Sequence, residues 1–349
     1  MRKKVALFFG GASNEYTVSL YSAAAVVRAL NKEKYEIYQI GIDRIGRWLF
    51  TEATPDCIER DEWQRNACPC LLSPDRGMRG IWLFQPGQTA RRILPDVLLP
   101  IMHGRWGEDG CIQGLFSLSG IPYVGCTTEA SAICMDKDLC KVVARYQGIP
   151  VVPWVRLSRA MSIEEARREA EARLTYPMFL KPCRSGSSVG AARVSCRAEF
   201  AAAFDRAGQE DDCVLAEEFL SVRELELALL ETPEGLELST PGEILPPRDG
   251  FYSYEAKYGD KGALLCEEAQ LSPAEQRRLR DYATRLFYGL GCRGCARADF
   301  FMERSTGRLY FNEINTMPGF TAISMFPRLL TKTRSFSDLL DLLIAGAAV

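Results

Sequence analysis

The chain has a single histidine, His103, in 349 residues. That count excludes, within this chain, any metal centre or catalytic set built on two histidines. Net charge is also nearly absent: 43 Lys and Arg stand against 45 Asp and Glu, a balance of −2. Without a basic field, general binding to nucleic acid has no driving force. No apolar run approaches the ~20 residues of a membrane span. The opening Met1-Arg2-Lys3-Lys4, followed by Val5–Phe9, imitates an export signal. Gly10 and Gly11 then cut the apolar run to five residues, too short for such a signal. The last stretch, Leu339–Val349, carries Asp341 and reads as a docked helix. Repeats and low-complexity segments are absent. The thirteen cysteines, an odd number, cannot all pair within the chain. With nothing pointing to export, they are expected as reduced thiols in the cytoplasm.

What is present is ordinary globular composition, 47% hydrophobic and 25% charged. At ~100–200 residues per domain, the length suggests two or three domains. Lys4–Phe9, a glycine turn, a helix over Tyr16–Leu30 and a strand at Tyr35–Asp43 make an α/β opening. A strand at Pro95–Met102 leads to a helix starting near Asp109, and a boundary is placed near Gly125. Beyond it the pattern predicts a helix over Met135–Gln147, a strand at Val151–Leu157, a helix over Ser162–Arg173, a strand at Tyr176–Lys181 and a helix over Arg197–Arg206. Strands follow at 213–219, 224–231 and 236–245, then a long loop at 246–266. Ser272-Pro273-Ala274-Glu275 is a capping box with proline at the first helical position.

Arg297–Asn315 can be read by counting. Two apolar-rich runs flank Ser305-Thr306-Gly307, a turn signal. A hairpin symmetric about Thr306 places Asp299 opposite Glu313 and Arg297 opposite Asn315. All four share one face, with Phe301 and Phe311 as an apolar floor. Two carboxylates and a carboxamide form an oxygen-only set of the kind Mg2+ takes when phosphates complete its shell. A solvated, salt-bridged face is the other reading.

Lys181 ends a strand and precedes the small-residue loop Arg184–Gly190, whose backbone N–H groups can approach phosphate oxygens. The lysine precedes the glycines, so this is not a Walker A loop; a plain turn is the alternative. Gly10–Glu15 lies between a strand and a helix N-terminus, a place that attracts anions. It is not a dinucleotide fingerprint, which sets aside an NAD oxidoreductase. Glu15 reads equally as an acid favourable to the helix dipole or as a seat for a substrate ammonium.

These residues fall into seven ordered motifs. They are Gly10-Gly11-x-Ser13-x-Glu15-x-x-Val18-Ser19, His103-Gly104-x-x-Gly107-Glu108-Asp109-Gly110, Met135-Asp136-Lys137 and Lys181-Pro182 with Gly186-Ser187-Ser188-Val189-Gly190. Then come Tyr254-Glu255-Ala256-Lys257-Tyr258, Arg297-x-Asp299 and Asn312-Glu313-x-Asn315-Thr316-x-Pro318-Gly319-Phe320-Thr321. Together they resemble the D-alanine–D-alanine ligases of the ATP-grasp superfamily. The resemblance implies a three-domain ATP-grasp architecture, α/β (α+β) in class, with a Rossmann-like N-terminal domain. Its domains would be 1–125, 126–216 and 217–349, with a closing loop at 246–266.

It also implies ATP as co-substrate, two Mg2+ ions (Mn2+ as the alternative) and D-alanine as substrate, with no nucleic-acid or membrane partner. Oligomeric state is left open, a homodimer included. Lys137 and Lys181 would hold the ATP phosphates, beside Ser187 and Ser188. Glu217 and the backbone of Phe219 and Leu220 would receive adenine over Phe301, and Glu224 the ribose. Asp299, Glu313 and Asn315 would hold the metal. Arg297 and the Gly319 amide would stabilise the oxyanion. Glu15 would take the first ammonium in a set with Ser187 and Tyr258. Lys257 and Ser324 would take the second carboxylate. Val18 and His103 lie in motifs near the substrates, His103 without one assigned role.

Three positions depart from the family pattern: Cys183 where a small residue is usual, Glu218 where lysine is common, and Val222 where glycine is frequent. Relatives join D-alanine to D-lactate or D-serine. The D-lactate enzymes carry a histidine in the closing loop, and 246–266 has none. Several D-serine enzymes carry arginine where this chain has Met325, whose apolar side chain suits a methyl group. D-serine stays an alternative, as does a non-ligating ATP-binding regulator.

Overall fold

The computed structural model describes residues 2–245 and 264–349. Lys257, Tyr258 and most of the expected closing loop lie outside the described residues. Among the described residues, no helix is long and apolar enough to cross a membrane.

The chain opens with β1 (Lys3–Gly10), α1 (Tyr16–Ala29) and β2 (Tyr35–Ile42). Next come β3 (Trp48–Thr51), α2 (Pro55–Glu59), β4 (Cys68–Leu72), β5 (Ile81–Leu83) and β6 (Arg91–Ile93), then β7 (Val97–Met102) and α3 (Cys111–Ser119). The sheet order is β6-β5-β4-β3-β2-β1-β7, with β1 parallel to both β2 and β7. β1 reads as an unbroken apolar run because both of its faces are covered. Val5, Leu7 and Phe9 pack on the α1 side, whereas Ala6 and Phe8 pack with Ile112 and Phe116 of α3.

A second unit holds α4 (Thr128–Met135), α5 (Lys137–Tyr146), β8 (Trp154–Ser158), α6 (Ile163–Glu171), β9 (Met178–Pro182), β10 (Ala192–Val194), α7 (Phe200–Glu210) and β11 (Cys213–Glu218). Its strands run antiparallel in the order β10-β9-β11-β8. The helix expected over Met135–Gln147 starts two residues inside that span, at Lys137, because Met135 ends α4. Asp136 turns extended and its carboxylate accepts from the Asp138 and Leu139 N–H groups, starting α5 afresh at Lys137. The strand expected from Val151 begins at Trp154, and Val151 keeps only an isolated bridge to Phe311.

The third unit comprises β12 (Val222–Thr232), β13 (Gly235–Leu238), β14 (Gly242–Leu245), β15 (Leu264–Cys266), α8 (Pro273–Gly289), β16 (Cys295–Glu303), β17 (Leu309–Asn315), α9 (Met325–Leu330) and α10 (Phe336–Ala345). Its sheet order is β15-β14-β12-β16-β17, with β13 on β12. The expected strand 236–245 is two strands, and 264–266, expected in the loop, is an edge strand on β14. Ser272 and Glu275 form the expected capping box. The C-terminal helix docks: Leu339, Leu340, Leu343 and Ile344 are buried with the α1 side of the first sheet. Ala348 bonds back to Tyr123.

The β16–β17 hairpin obeys the count only as far as Asp299. Arg297 faces Asn315 and Asp299 faces Glu313, but the register shifts between Asp299 and Phe300. Phe300 then faces Phe311, and Phe301 faces Tyr310. The bulge inserts Asn312, which turns to the upper face beside Glu313. Phe311 drops below the sheet, fully buried, with its ring 5.9 Å from that of Phe300. The apolar floor is therefore Phe301 without Phe311. We expect Phe311→Ala to lower unfolding free energy by about 3–5 kcal/mol, a core truncation. Phe301→Ala should cost less. Denaturant titration of both variants distinguishes this from equal losses.

Candidate active site

The second and third sheets face one another across a cavity of about 840 Å³. β9, the loop after it and β11 supply one wall, including Lys181, Ser187, Ser188, Glu217, Phe219 and Leu220. β12, β16 and β17 supply the other, including Glu224, Phe301, Asp299 and Glu313. Lys137 enters from the start of α5.

Charges in this cavity are balanced within each sheet and, at Lys137 and Glu313, between the two units. Lys137 Nζ lies 3.1 Å from Glu313 Oε2 and donates to the Ser185 carbonyl at 2.8 Å. Burial alone would lower the Lys137 ammonium, but Glu313 outweighs it and holds the group above its ordinary value. Lys181 Nζ lies 2.9 Å from Glu217 Oε2 and donates to Asn312 Oδ1 at 3.3 Å. Glu217 is 3% exposed; burial would raise its carboxyl, yet Lys141 and Lys181 hold it at about 2. Arg297 grips Asp299 through two bonds of 2.8 and 2.6 Å, and its Nε lies 3.1 Å from Glu226 Oε2. Asn315 donates to Asp299 at 3.0 Å.

Cys183 is fully buried, and its thiol donates to Asp136 Oδ1 at 3.1 Å, bracing the cap that places Lys137. Phe219 donates its N–H to the Pro177 carbonyl at 3.2 Å. That amide is thus engaged within the protein. Arg193 covers the Phe219 ring at 4.4 Å.

Glu15 stands at the head of α1 but makes no cap bond to it. Its carboxylate instead accepts from Ser187 Oγ. A Cβ at Gly186 would come within 2.6 Å of Glu15 Oε2, and one at Gly104 within 2.7 Å. Ser187 and Ser188 both hold positive φ, 52° and 58°. Two adjacent left-handed residues of this kind cost of order 1–3 kcal/mol each, so the loop is held there by its contacts.

His103, 4% exposed, joins the first unit to the segment after β17. Its Nδ1 faces the Met317 carbonyl at 3.2 Å and Glu108 at 3.3 Å, while Nε2 faces Ser22 Oγ at 3.2 Å. Two acceptors on Nδ1 assign the proton there, leaving Nε2 to accept from Ser22. Ser22 Oγ in turn accepts the Phe320 N–H at 3.4 Å. Burial and the Glu15 charge push Glu108 up, against its bond with His103. This chain of bonds ties Phe320, the residue after Gly319, to α1. Ser324 Oγ sits against Gly319 and is 2.7 Å from Thr321 Oγ1. Val18 is buried on α1, and Met325 is buried with its sulfur against Gly242.

The donor set Asp299, Glu313 and Asn315 is all oxygen and fits a hard divalent cation that takes further oxygens from phosphate. Among the described residues, no group of three or more His, Cys, Asp or Glu converges on one point. Protein side chains alone therefore do not make a complete cage. Cys292 and Cys295 are buried free thiols, like most of the thirteen cysteines, none of which is paired.

Sequence reasoning missed Lys141 and gave no role to Asn312, named only within a motif. Lys141 was signalled by its four-residue spacing from Lys137 on one helix. Asn312 was hidden by the bulge.

Two antiparallel sheets clasping a cavity, with Lys137 of one side set against Glu313 of the other, define the ATP-grasp class of fold. Residues 4–126 match the family profile for the D-ala D-ala ligase N-terminus, and 143–345 match that for its C-terminus. The D-alanine–D-alanine ligase of Caldicellulosiruptor bescii is 40% identical over 348 residues, 99% of this chain and 94% of the relative. The solved VanG D-Ala:D-Ser ligase from Enterococcus faecalis is 38% identical with a TM-score of 0.88, covering 99% of each chain. The D-alanine–D-alanine ligase from Coxiella burnetii is 33% identical with a TM-score of 0.85, over 99% of this chain and 93% of that one. The chain belongs to the D-alanine–D-alanine ligase family.

Glu217 sets a pH dependence. Its folded value of about 2 lies below the ordinary 4.5, so its ionisation stabilises the fold above about pH 4.5. That contribution is lost as pH falls toward 2. Removing one partner of such a buried pair costs about 3–5 kcal/mol at neutral pH. We expect Glu217→Gln to lose on that order, with the gap from wild type narrowing below pH 4.5. Urea titrations at several pH values measure it, and a gap constant with pH would contradict the assignment.

Proposed function

We infer that this chain joins two D-alanines, with ATP, to give D-alanyl-D-alanine through a D-alanyl phosphate. The carrying observation is family membership across nearly the whole chain, combined with a cation-lined cavity opening beside the Glu15–Ser187 corner. In this reading the three sheets mark domains 1–125, 126–216 and 217–349, and the protein works in the cytoplasm, where its product feeds cell-wall synthesis.

Phosphoryl transfer asks mainly for positioning and charge neutralisation. Lys137 and Lys181 hold the ATP phosphates, with Ser187 and Ser188 beside them. Glu217 and the backbone of Phe219 and Leu220 meet adenine above Phe301, and Glu224 meets the ribose. Asp299, Glu313 and Asn315 would hold Mg2+, which neutralises phosphate charge when bound. Glu15 seats the ammonium of the first D-alanine, whose carboxylate attacks the γ-phosphorus and expels ADP. The amine of the second D-alanine then attacks the acyl carbon. Arg297 and the Gly319 amide bind the oxyanion before phosphate leaves. Ser324 receives the second carboxylate. Lys257 and Tyr258 enter this scheme only through the family resemblance.

The likeness to a D-Ala:D-Ser ligase favours D-serine as a second reading for the acceptor. Against it, Met325 offers no donor to a hydroxyl, although an apolar pocket rejects an added hydroxyl only weakly, by about 10²-fold. Phosphate release with D-alanine alone, with D-serine added and with D-lactate added separates the readings. D-alanine alone is expected to suffice. No release with any D-amino acid would exclude a ligase. Glu313→Gln is expected to lower Mg2+-dependent turnover at least tenfold, and unchanged turnover would remove it from the metal set.

A further inference from the structure

Lys141 has no part in the scheme above, yet it is among the most deeply buried charges in the molecule. Its side chain is 0% exposed and does not line the cavity. It lies behind Glu217, with Nζ 3.0 Å from Oε1, while Lys181 lies 2.9 Å from Oε2 on the cavity side. The ring of Trp154 covers Nζ from β8 at 5.8 Å. That ring is itself fixed by donating to Asp138 Oδ1 at 2.7 Å.

The contact is an ion pair enclosed by protein. Burial lowers the Lys141 ammonium below its ordinary value, and the Glu217 carboxylate limits that fall.

The charge balance explains its use. With Lys181 alone, Glu217 would form a neutral pair and hold that ammonium to itself. With Lys141 on the other oxygen, the carboxylate is already compensated from behind. Lys181 then keeps a surplus positive charge, directed by Asn312 toward the cavity. Lys141 follows Lys137 by one turn of α5, so the same helix that places one cation in the cavity places the countercharge that frees the other.

We propose that Lys141 is a positioning residue: through Glu217 it releases Lys181 to bind the nucleotide phosphates. This deepens the nucleotide reading and rests on it. The test is Mg·ADP affinity by calorimetry on wild type, Lys141→Met, Glu217→Gln and the double variant, with melting temperature as a check of folding. Lys141→Met should weaken Mg·ADP at least tenfold while KM for D-alanine changes less than twofold. In the Glu217→Gln background, where any direct loss of the Glu217 contact to adenine is common to both proteins, adding Lys141→Met should cost less than threefold. The coupling between the two sites is thus measured directly.

Lys141→Met that folds and binds Mg·ADP within twofold of wild type overturns the proposal. So does a tenfold or greater loss from Lys141→Met in the Glu217→Gln background. Should Lys141→Met fail to fold, Glu217→Gln and the double variant are compared. They are expected to agree within threefold, and a tenfold difference overturns the proposal. Wild-type protein that does not bind Mg·ADP would remove the nucleotide reading itself, and this inference with it.

Discussion

Buried charge needs countercharge, and this molecule supplies it within each unit and, at Lys137 and Glu313, across the cavity. Glu313 on β17 is balanced by Lys137 on α5, and Asn312 on β17 receives Lys181 from β9. Without the facing unit, Lys137 and Glu313 would each lose countercharge under cover, a loss of several kcal/mol per ion. An ion pair therefore spans the clasp at the place where phosphate chemistry would use the same lysine.

The first sheet joins this arrangement at a second point. Glu15, gripped by Ser187 and by two glycines that leave no room for a side chain, ties the head of α1 to the loop after β9. His103 ties the end of β7 to the segment after β17 through Ser22 and Met317. All three sheets thus meet around one corner. A small substrate placed there would be surrounded by groups from distant parts of the chain, which suits the protection of a hydrolysable acyl phosphate from water.

Much of this was legible in the sequence, and the failures are specific. Pairings of Arg297 with Asn315 and Asp299 with Glu313 followed from counting outward from a glycine turn. Counting failed beyond Asp299 because a bulge adds one residue to β17, and periodicity carries no signal for it. The break at Asp136 was missed because helical spacing continues across it, while the carboxylate cap acts locally. Lys141 was passed over because a lysine on a helix is ordinarily solvated, and nothing local shows that Trp154 and Glu217 enclose it. The cysteines, prominent by number, are unpaired and mostly buried, as small apolar residues would be.

The sequence by itself determined the alternating strands and helices, the oxygen-rich face of the hairpin, the small-residue loop after Lys181 and the ordered motifs that mark the family. These rest on spacing along the chain, which local geometry converts directly into a shared face or a turn. Tertiary structure alone decided which ions meet: Lys141 behind Glu217 and Lys137 against Glu313. The physical reason is that a charge's partner is chosen by burial and by the dielectric it finds there, and both depend on residues distant along the chain.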